Sequence, residues 1–121
     1  MSKPRILIAD DEEDVRLILK DRLELSGFET LESYSGVHTI ETAQKHKPDL
    51  ILLDMLMPAG TGPSVVSALK SRSETQGIPI IVLTALREPE LKQEMIALGA
   101  QGFIQKPYDS ENLVGQIRSL L

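Results

Sequence analysis

Four short stretches of this sequence carry groups able to do chemistry together. Asp10-Asp11-Glu12-Glu13-Asp14 follows one aliphatic run, Asp54 another, Thr84 a third, and Lys106-Pro107 a short fourth. Two or three carboxylates brought together repel, and each raises the proton affinity of its neighbours. A divalent cation relieves that repulsion. Ligation by oxygen alone, without His or Cys, fits a hard ion, and Mg2+ with several retained waters leads. A carboxylate beside such an ion can act as a nucleophile towards phosphorus, because the metal and a cation offset the charge on the phosphoryl oxygens. Lys106 supplies a point charge for phosphate and is the one basic residue expected at this place. Thr84 offers a hydroxyl to the same oxygens.

Taken singly, each residue has an ordinary reading. Glu12, Glu13 and Asp14 favour the first turn of a helix through its dipole. A lone Asp at a strand end is a turn or cap, Thr84 a strand-end cap, and Lys106 a solvated lysine. Asp10 resists this treatment, since a strand end facing its neighbours is a costly place for like charges. The joint placement carries the weight.

That placement depends on the elements in between. Arg5–Ala9, Asp49–Leu53 and Pro79–Leu83 are continuous aliphatic runs without alternation, which predicts strands buried on both faces of a parallel sheet. Thr30–Tyr34 is more polar and suits an edge strand, and Gly102–Gln105 is a short fifth candidate. Helical periods fill the gaps. A first helix, from about Glu13 to Ser26, places Val15, Ile18, Leu19 and Leu23 on one face and stops at Gly27. A second runs from about Val37 to Lys47, with Ile40 and Ala43 inward and Pro48 behind it. The third starts at Gly62 with Pro63 as its first helical residue and carries Val66 and Leu69. Pro89 opens the fourth, with Leu91, Met95 and Leu98 on one face and Gly99 behind. The fifth carries Leu113, Val114, Ile117, Leu120 and Leu121, with Asp109 as N-cap. The order βαβαβαβαβα implies right-handed crossovers and helices on both faces of the sheet. This is a doubly wound α/β domain, whose sites lie beyond the carboxyl ends of the strands. All four chemical stretches fall at such ends.

Composition narrows the class. The 121 residues suit one domain, spanning 1–121. Aromatic residues make up 3% with no Trp, so the core is expected to be aliphatic. A net charge of −5 argues against binding nucleic acid through a broad basic surface. Without Cys there are no disulfides, thiolate metal sites or cysteine nucleophiles. No apolar run reaches the ~18 residues of a membrane span, and the first residues do not read as a signal peptide. The expectation is a soluble cytoplasmic protein that does not bind membranes.

At this point the whole chain resembles a receiver domain of bacterial two-component response regulators. The resemblance rests on Ile6-Leu-Ile-Ala-Asp-Asp-Glu12, Asp49-Leu-Ile-Leu-Leu-Asp54 with Met57-Pro58 and Gly62, Ile80-Ile-Val-Leu-Thr-Ala85, Gly99-Ala100 and Lys106-Pro107. It implies a flavodoxin-like five-stranded parallel sheet, order 2-1-3-4-5, with five helices. It implies Asp54 as phosphoacceptor, and Mg2+ held by Asp11, by Asp10 largely through water, by Asp54 and by the backbone carbonyl of Leu56. Thr84 and Lys106 would contact the phosphoryl group. Phe103 stands where the family has its aromatic switch residue, and Lys106-Pro107 would be cis. This sequence departs from the commonest family pattern at Thr61, where an Asp often precedes the Gly, and at Pro63 after it. Leu56 and Leu86 are apolar where polar residues are frequent, and they bear on the lifetime of the phosphoryl group.

The resulting expectation is a signalling switch. It would take a phosphoryl group from a sensor histidine kinase or phosphotransfer protein and pass the signal to a downstream protein or effector domain. It catalyses its own modification and its reversal and is not an enzyme acting on a free substrate. The rival from the enzyme class is an Mg2+-dependent aspartyl-nucleophile phosphatase of the haloacid-dehalogenase kind. That class carries an Asp-x-Asp nucleophile at the end of its first strand, a spacing that Asp10-Asp11 lacks. A flavin-binding module would need a Ser/Thr/Gly-rich phosphate loop and flanking aromatics. The fifth helix reaches Leu121, so any effector would belong to a partner or to a longer chain.

Overall fold

The aliphatic runs form strands because every one of their side chains finds a helix to bury against. In the computed structural model, which describes residues 3–121, the order is β1 (Arg5–Ala9), α1 (Glu13–Leu25), β2 (Glu29–Ser33), α2 (Gly36–His46), β3 (Leu50–Asp54), α3 (Gly62–Lys70), β4 (Ile80–Thr84), α4 (Glu90–Leu98), β5 (Gly102–Gln105) and α5 (Ser110–Leu120). The five strands are parallel in the order β2-β1-β3-β4-β5, as expected.

Alternate side chains on each strand point to opposite faces, so the sheet divides the core in two. On one face Leu7, Ala9, Ile51, Leu53, Ile80 and Val82 pack under α2, α3 and α4. On the other, Ile6, Ile8, Leu50, Leu52, Ile81 and Leu83 pack under α1 and α5. The register sets Ala9 beside Leu53, Asp54 beside Leu83 and Thr84 beside Gln105, which brings the strand ends to a common level.

The helix ends follow local chemistry. Asp109 caps α5, its Oδ1 accepting from the N–H of Glu111 at 2.7 Å and of Asn112 at 3.2 Å. Gly99 closes α4 at φ 118°, a left-handed value that suits glycine. Thr61 is the N-cap of α3 and Pro63 sits in its first turn, so the departure at Thr61 still starts the helix.

Four details differ from the sequence reading. Strands β3 and β4 begin one residue later than expected, and β2 one residue earlier; β4 starts after Pro79 because that residue has no N–H for the ladder and only its carbonyl pairs, with the Ile51 N–H at 2.9 Å. Ile18 is 66% exposed, because the buried stripe of α1 runs through Leu19 and Leu23 and leaves Ile18 on the rim. In α2 the buried positions include Thr39 and Thr42, and Thr39 is tolerated there because its hydroxyl meets Ser33 Oγ at 2.7 Å and the Ser35 carbonyl at 2.7 Å. Leu121 lies past α5 and is exposed.

Candidate functional site

The ends of β1, β3, β4 and β5 bring Asp10, Asp54, Thr84 and Lys106 to one edge of the sheet. Asp10 is buried, and its N–H, carbonyl and Oδ1 each have a hydrogen-bond partner. Its N–H donates to the Ser33 carbonyl at 3.1 Å, and its Oδ1 accepts from the N–H of Glu12 at 2.9 Å. Its carbonyl accepts from Arg16 Nη1 at 2.8 Å, and its Oδ2 faces Lys106 Nζ at 3.6 Å. Among the described residues, Asp10, Asp11 and Glu12 form a group whose carboxylate oxygens approach within 4.8 Å of one another, with Asp11 and Glu12 exposed. The donors are all oxygen and the outer two open to solvent, which fits a hard cation that keeps part of its water shell.

Asp54, half-buried at the end of the central strand, sits 3.9 Å from the same Lys106 amine. Burial pushes its carboxyl up to about 6; Lys106 opposes the shift, Asp10 adds to it, the backbone of Leu56 hydrogen-bonds the charged form, and Asp11 adds slightly. The amine thus bridges two carboxylates from separate strands.

Thr84 is buried, and its hydroxyl accepts from the Leu86 N–H at 3.0 Å while its carbonyl accepts from the Lys106 N–H at 2.7 Å. The cap reading of Thr84 therefore holds in this state, and its hydroxyl proton stays free for a further acceptor. The Lys106-Pro107 peptide is cis, as expected. Phe103 is half-buried against the α3/α4 core, as is Leu86, and both border a cavity of about 290 Å³ together with Pro89, Lys92 and Gln105. Gln105 Nε2 donates to the Leu86 carbonyl at 3.0 Å, which ties the loop after β4 to β5.

The segment after Asp54 is set by α2. The carbonyls of Pro58 and Ala59 accept from the N–H groups of Gly36 and Val37 at 3.0 and 2.8 Å, which satisfies the open end of that helix. A Cβ at Gly36 would lie 2.5 Å from the Ala59 carbonyl oxygen, so only glycine permits this approach. Leu56, within this segment, is 61% exposed.

Lys106 is not the only basic residue here, contrary to the sequence reading. Arg16 reaches back from the first turn of α1 to the Asp10 carbonyl and pairs through Nε with Glu32 Oε1 of β2 at 3.1 Å. One signal existed in the sequence: a cation in the first turn of a helix opposes the dipole and so asks for a local reason.

Comparison with known proteins gives a coherent result. The family model described as "Response regulator receiver domain" matches residues 6–118. The chain is 37% identical over 116 residues to the phosphate regulon transcriptional regulatory protein PhoB of Pseudomonas aeruginosa, covering 96% of this chain and 51% of that protein. It is 33% identical over 118 residues to the DNA-binding dual master transcriptional regulator RpaA of Synechocystis, covering 98% and 49%. The chain thus spans about half the length of the curated relatives it matches. Among solved structures, chemotaxis response regulator CheY4 of Vibrio cholerae superposes with a TM-score of 0.91 at 32% identity, covering 99% of this chain and 100% of that one. The signal receiver domain of a signal transduction histidine kinase from Syntrophus aciditrophicus gives a TM-score of 0.90 at 32% identity, covering 98% and 89%.

Proposed function

Since this chain belongs to the response regulator receiver-domain family, the phosphorylation-dependent switches of two-component systems, we propose that Asp54 is its phosphoacceptor and that the receiver unit takes in residues 1–121. The observation that supports this most is the Lys106 amine poised between Asp10 at 3.6 Å and Asp54 at 3.9 Å. The donor is a phosphohistidine on a sensor kinase or phosphotransfer protein. Asp54 enters as the carboxylate. One of its oxygens forms a bond to phosphorus as the P–N bond breaks, and the departing imidazole nitrogen keeps that electron pair. Lys106 meets the negative charge that arrives with the phosphoryl oxygens, and the Thr84 hydroxyl turns its free proton towards them. Asp11, Asp10, Asp54 and the Leu56 carbonyl form the Mg2+ site. Bound there, Mg2+ would offset the charge of the crowded carboxylates and of the phosphoryl oxygens. Hydrolysis reverses the modification: water adds to phosphorus, the P–O bond to Asp54 breaks, and the carboxylate returns with inorganic phosphate released. The catalysis is confined to this cycle.

The output follows from the hydroxyl of Thr84. Drawing Thr84 Oγ1 itself towards the phosphoryl group takes it from the Leu86 N–H, and Leu86 is tied through its carbonyl to Gln105 of β5. Phe103 of the same strand then moves into the space vacated behind β4, and the face made by α4, β5 and α5 changes for a downstream protein or effector domain. With an acidic chain, and no helix among the described residues long and apolar enough to cross a membrane, the partners are proteins and the setting is the cytoplasm.

Incubation with acetyl phosphate and Mg2+ tests the reading. A gain of one phosphoryl group, mapped to the peptide that contains Asp54, is the expected result. Turnover of many phosphomonoesters without a stable adduct would favour the phosphatase instead.

A further inference from the structure

We infer that Arg16, pinned by Glu32, is a positioning residue for the Mg2+ site: it aims the Asp11 carboxylate by holding the carbonyl of Asp10. The inference rests on the reading that the acidic turn takes Mg2+. The Asp10 carbonyl and the Asp11 N–H belong to one planar peptide unit. Fixing that carbonyl fixes the direction in which the chain enters Asp11. Arg16 Nη1 donates to it at 2.8 Å. The other side of the residue is fixed by the Ser33 carbonyl at 3.1 Å, and the side chain by the Glu12 N–H at 2.9 Å. Asp11 itself is exposed, and among the described residues nothing holds its side chain, so its aim depends on the backbone.

Two features say that this is more than a surface ion pair. The Arg16 side chain is 15% exposed, and its planar fork spans two elements at once, with Nη1 on the Asp10 carbonyl and Nε on Glu32 Oε1 at 3.1 Å. Helical side chains lean towards the N-terminus, which lets Arg16 reach back over the turn. The position also works against electrostatics. A cation in the first turn of α1 opposes the helix dipole and repels a second cation bound next door. Glu32 removes most of that repulsion by neutralising the guanidinium, so the geometry is kept while the field is cancelled.

Charge and positioning predict opposite signs, which makes the test decisive. Deleting the Arg16 charge would tighten Mg2+ if only the field mattered, and loosen it if the aim of Asp11 matters. The experiment is MgCl2 titration of the metal-free chain followed through its amide NMR signals, in wild type, Arg16→Gln, Arg16→Lys and Asp11→Ala. Arg16→Gln is expected to raise the Mg2+ Kd about tenfold, within the range typical of groups that orient metal ligands. Displaced Asp11 and Glu12 amide signals before metal is added should accompany it, while the amide signals of β3, β4 and β5 stay in place. Arg16→Lys keeps the charge and loses the fork, and should raise Kd by about threefold. A Kd in Arg16→Gln at or below that of wild type overturns the inference. Should that variant fail to fold, an unchanged Kd in Arg16→Lys overturns it equally. If wild type gives no Mg2+ response, or Asp11→Ala binds as wild type does, the site reading itself falls. That failure is distinct, because it shows in proteins that keep Arg16.

Discussion

Asp10 and Asp54 both stand at strand ends and face one lysine, at 3.6 and 3.9 Å, yet their surroundings differ in kind. Asp10 is 3% exposed and has a partner for its N–H, its carbonyl and its Oδ1. Asp54 is less enclosed, has the Leu56 amide and a lysine beyond hydrogen-bond length, and its carboxyl is pushed up to about 6. Under the proposed roles the pinned Asp10 supports the ion largely through water, while Asp11 ligates it directly. An under-satisfied group serves attack on phosphorus, because less solvation has to be stripped from it first. The same lysine faces both, Asp10 serving the ion alone and Asp54 serving both the ion and the attack on phosphorus.

The largest way to break the comparison is Asp54→Asn. Asn is nearly isosteric and a far poorer nucleophile. Phosphorylation by acetyl phosphate should fall to background by intact mass, with the fold unchanged. Labelling undiminished in that variant would place the acceptor elsewhere. Next comes the pinned partner. In MgCl2 titrations Asp11→Ala should lose the metal, while Asp10→Ala should keep it with reduced affinity. Equal binding in wild type and both variants would remove the cation role of the turn.

Stability should sharpen the contrast further. A carboxyl whose folded value of about 6 lies above its model value of 3.8 holds its proton more tightly when folded. The folded state then binds more protons than the unfolded one between those values, so stability falls as pH rises through that window and the loss is complete above about 6. The shift corresponds to at most ~3 kcal/mol, and water at the half-buried site reduces it to about 1–2 kcal/mol. Asp54→Asn should therefore stabilise the metal-free domain by about 1–2 kcal/mol at pH 8 and by almost nothing at pH 3.5. Denaturant melts in EDTA at the two pH values measure this. A gain that is equal at both would mean that charge is not its source.

The sequence carried the sheet order and the site unequally. Strands were legible because Ile6–Ala9, Leu50–Leu53 and Ile80–Leu83 are apolar at every position and short, a pattern that fits strands of a sheet covered on both faces. Helix ends were legible where one residue does the capping, as at Asp109 and Gly99. Periodicity places a residue on a face but does not say where the neighbouring element stops, so Ile18 was assigned to the core and stands at its rim. Thr39 was missed because its burial depends on Ser33, a partner from β2. Arg16 was missed for a similar reason: its targets are a main-chain carbonyl and a glutamate sixteen residues away, and the one local sign, a cation in the first turn of α1, points to neither.

The smallest expected effect concerns how long a phosphoryl group on Asp54 would survive. Hydrolysis needs a water aligned against phosphorus, and a side chain that hydrogen-bonds water can hold it there. Leu56 and Leu86 cannot do so. The structure separates the two. Leu56 is 61% exposed on the segment after β3, whereas Leu86 is half-buried and packs against the α3/α4 core. A polar group at 56 therefore enters solvent at little cost to the fold, while one at 86 also loosens the packing that Phe103 shares. Leu56→Asn should shorten the lifetime of the label about fivefold, equivalent to ~1 kcal/mol of barrier, with an unchanged melting point. Adding Leu86→Gln should shorten it somewhat further and lower the melting point. The decay of phosphorylated protein by intact mass, after removal of acetyl phosphate at constant Mg2+, measures both. A lifetime in Leu56→Asn equal to that of wild type would show that the side chain at 56 has no part in how long Asp54 keeps the phosphoryl group.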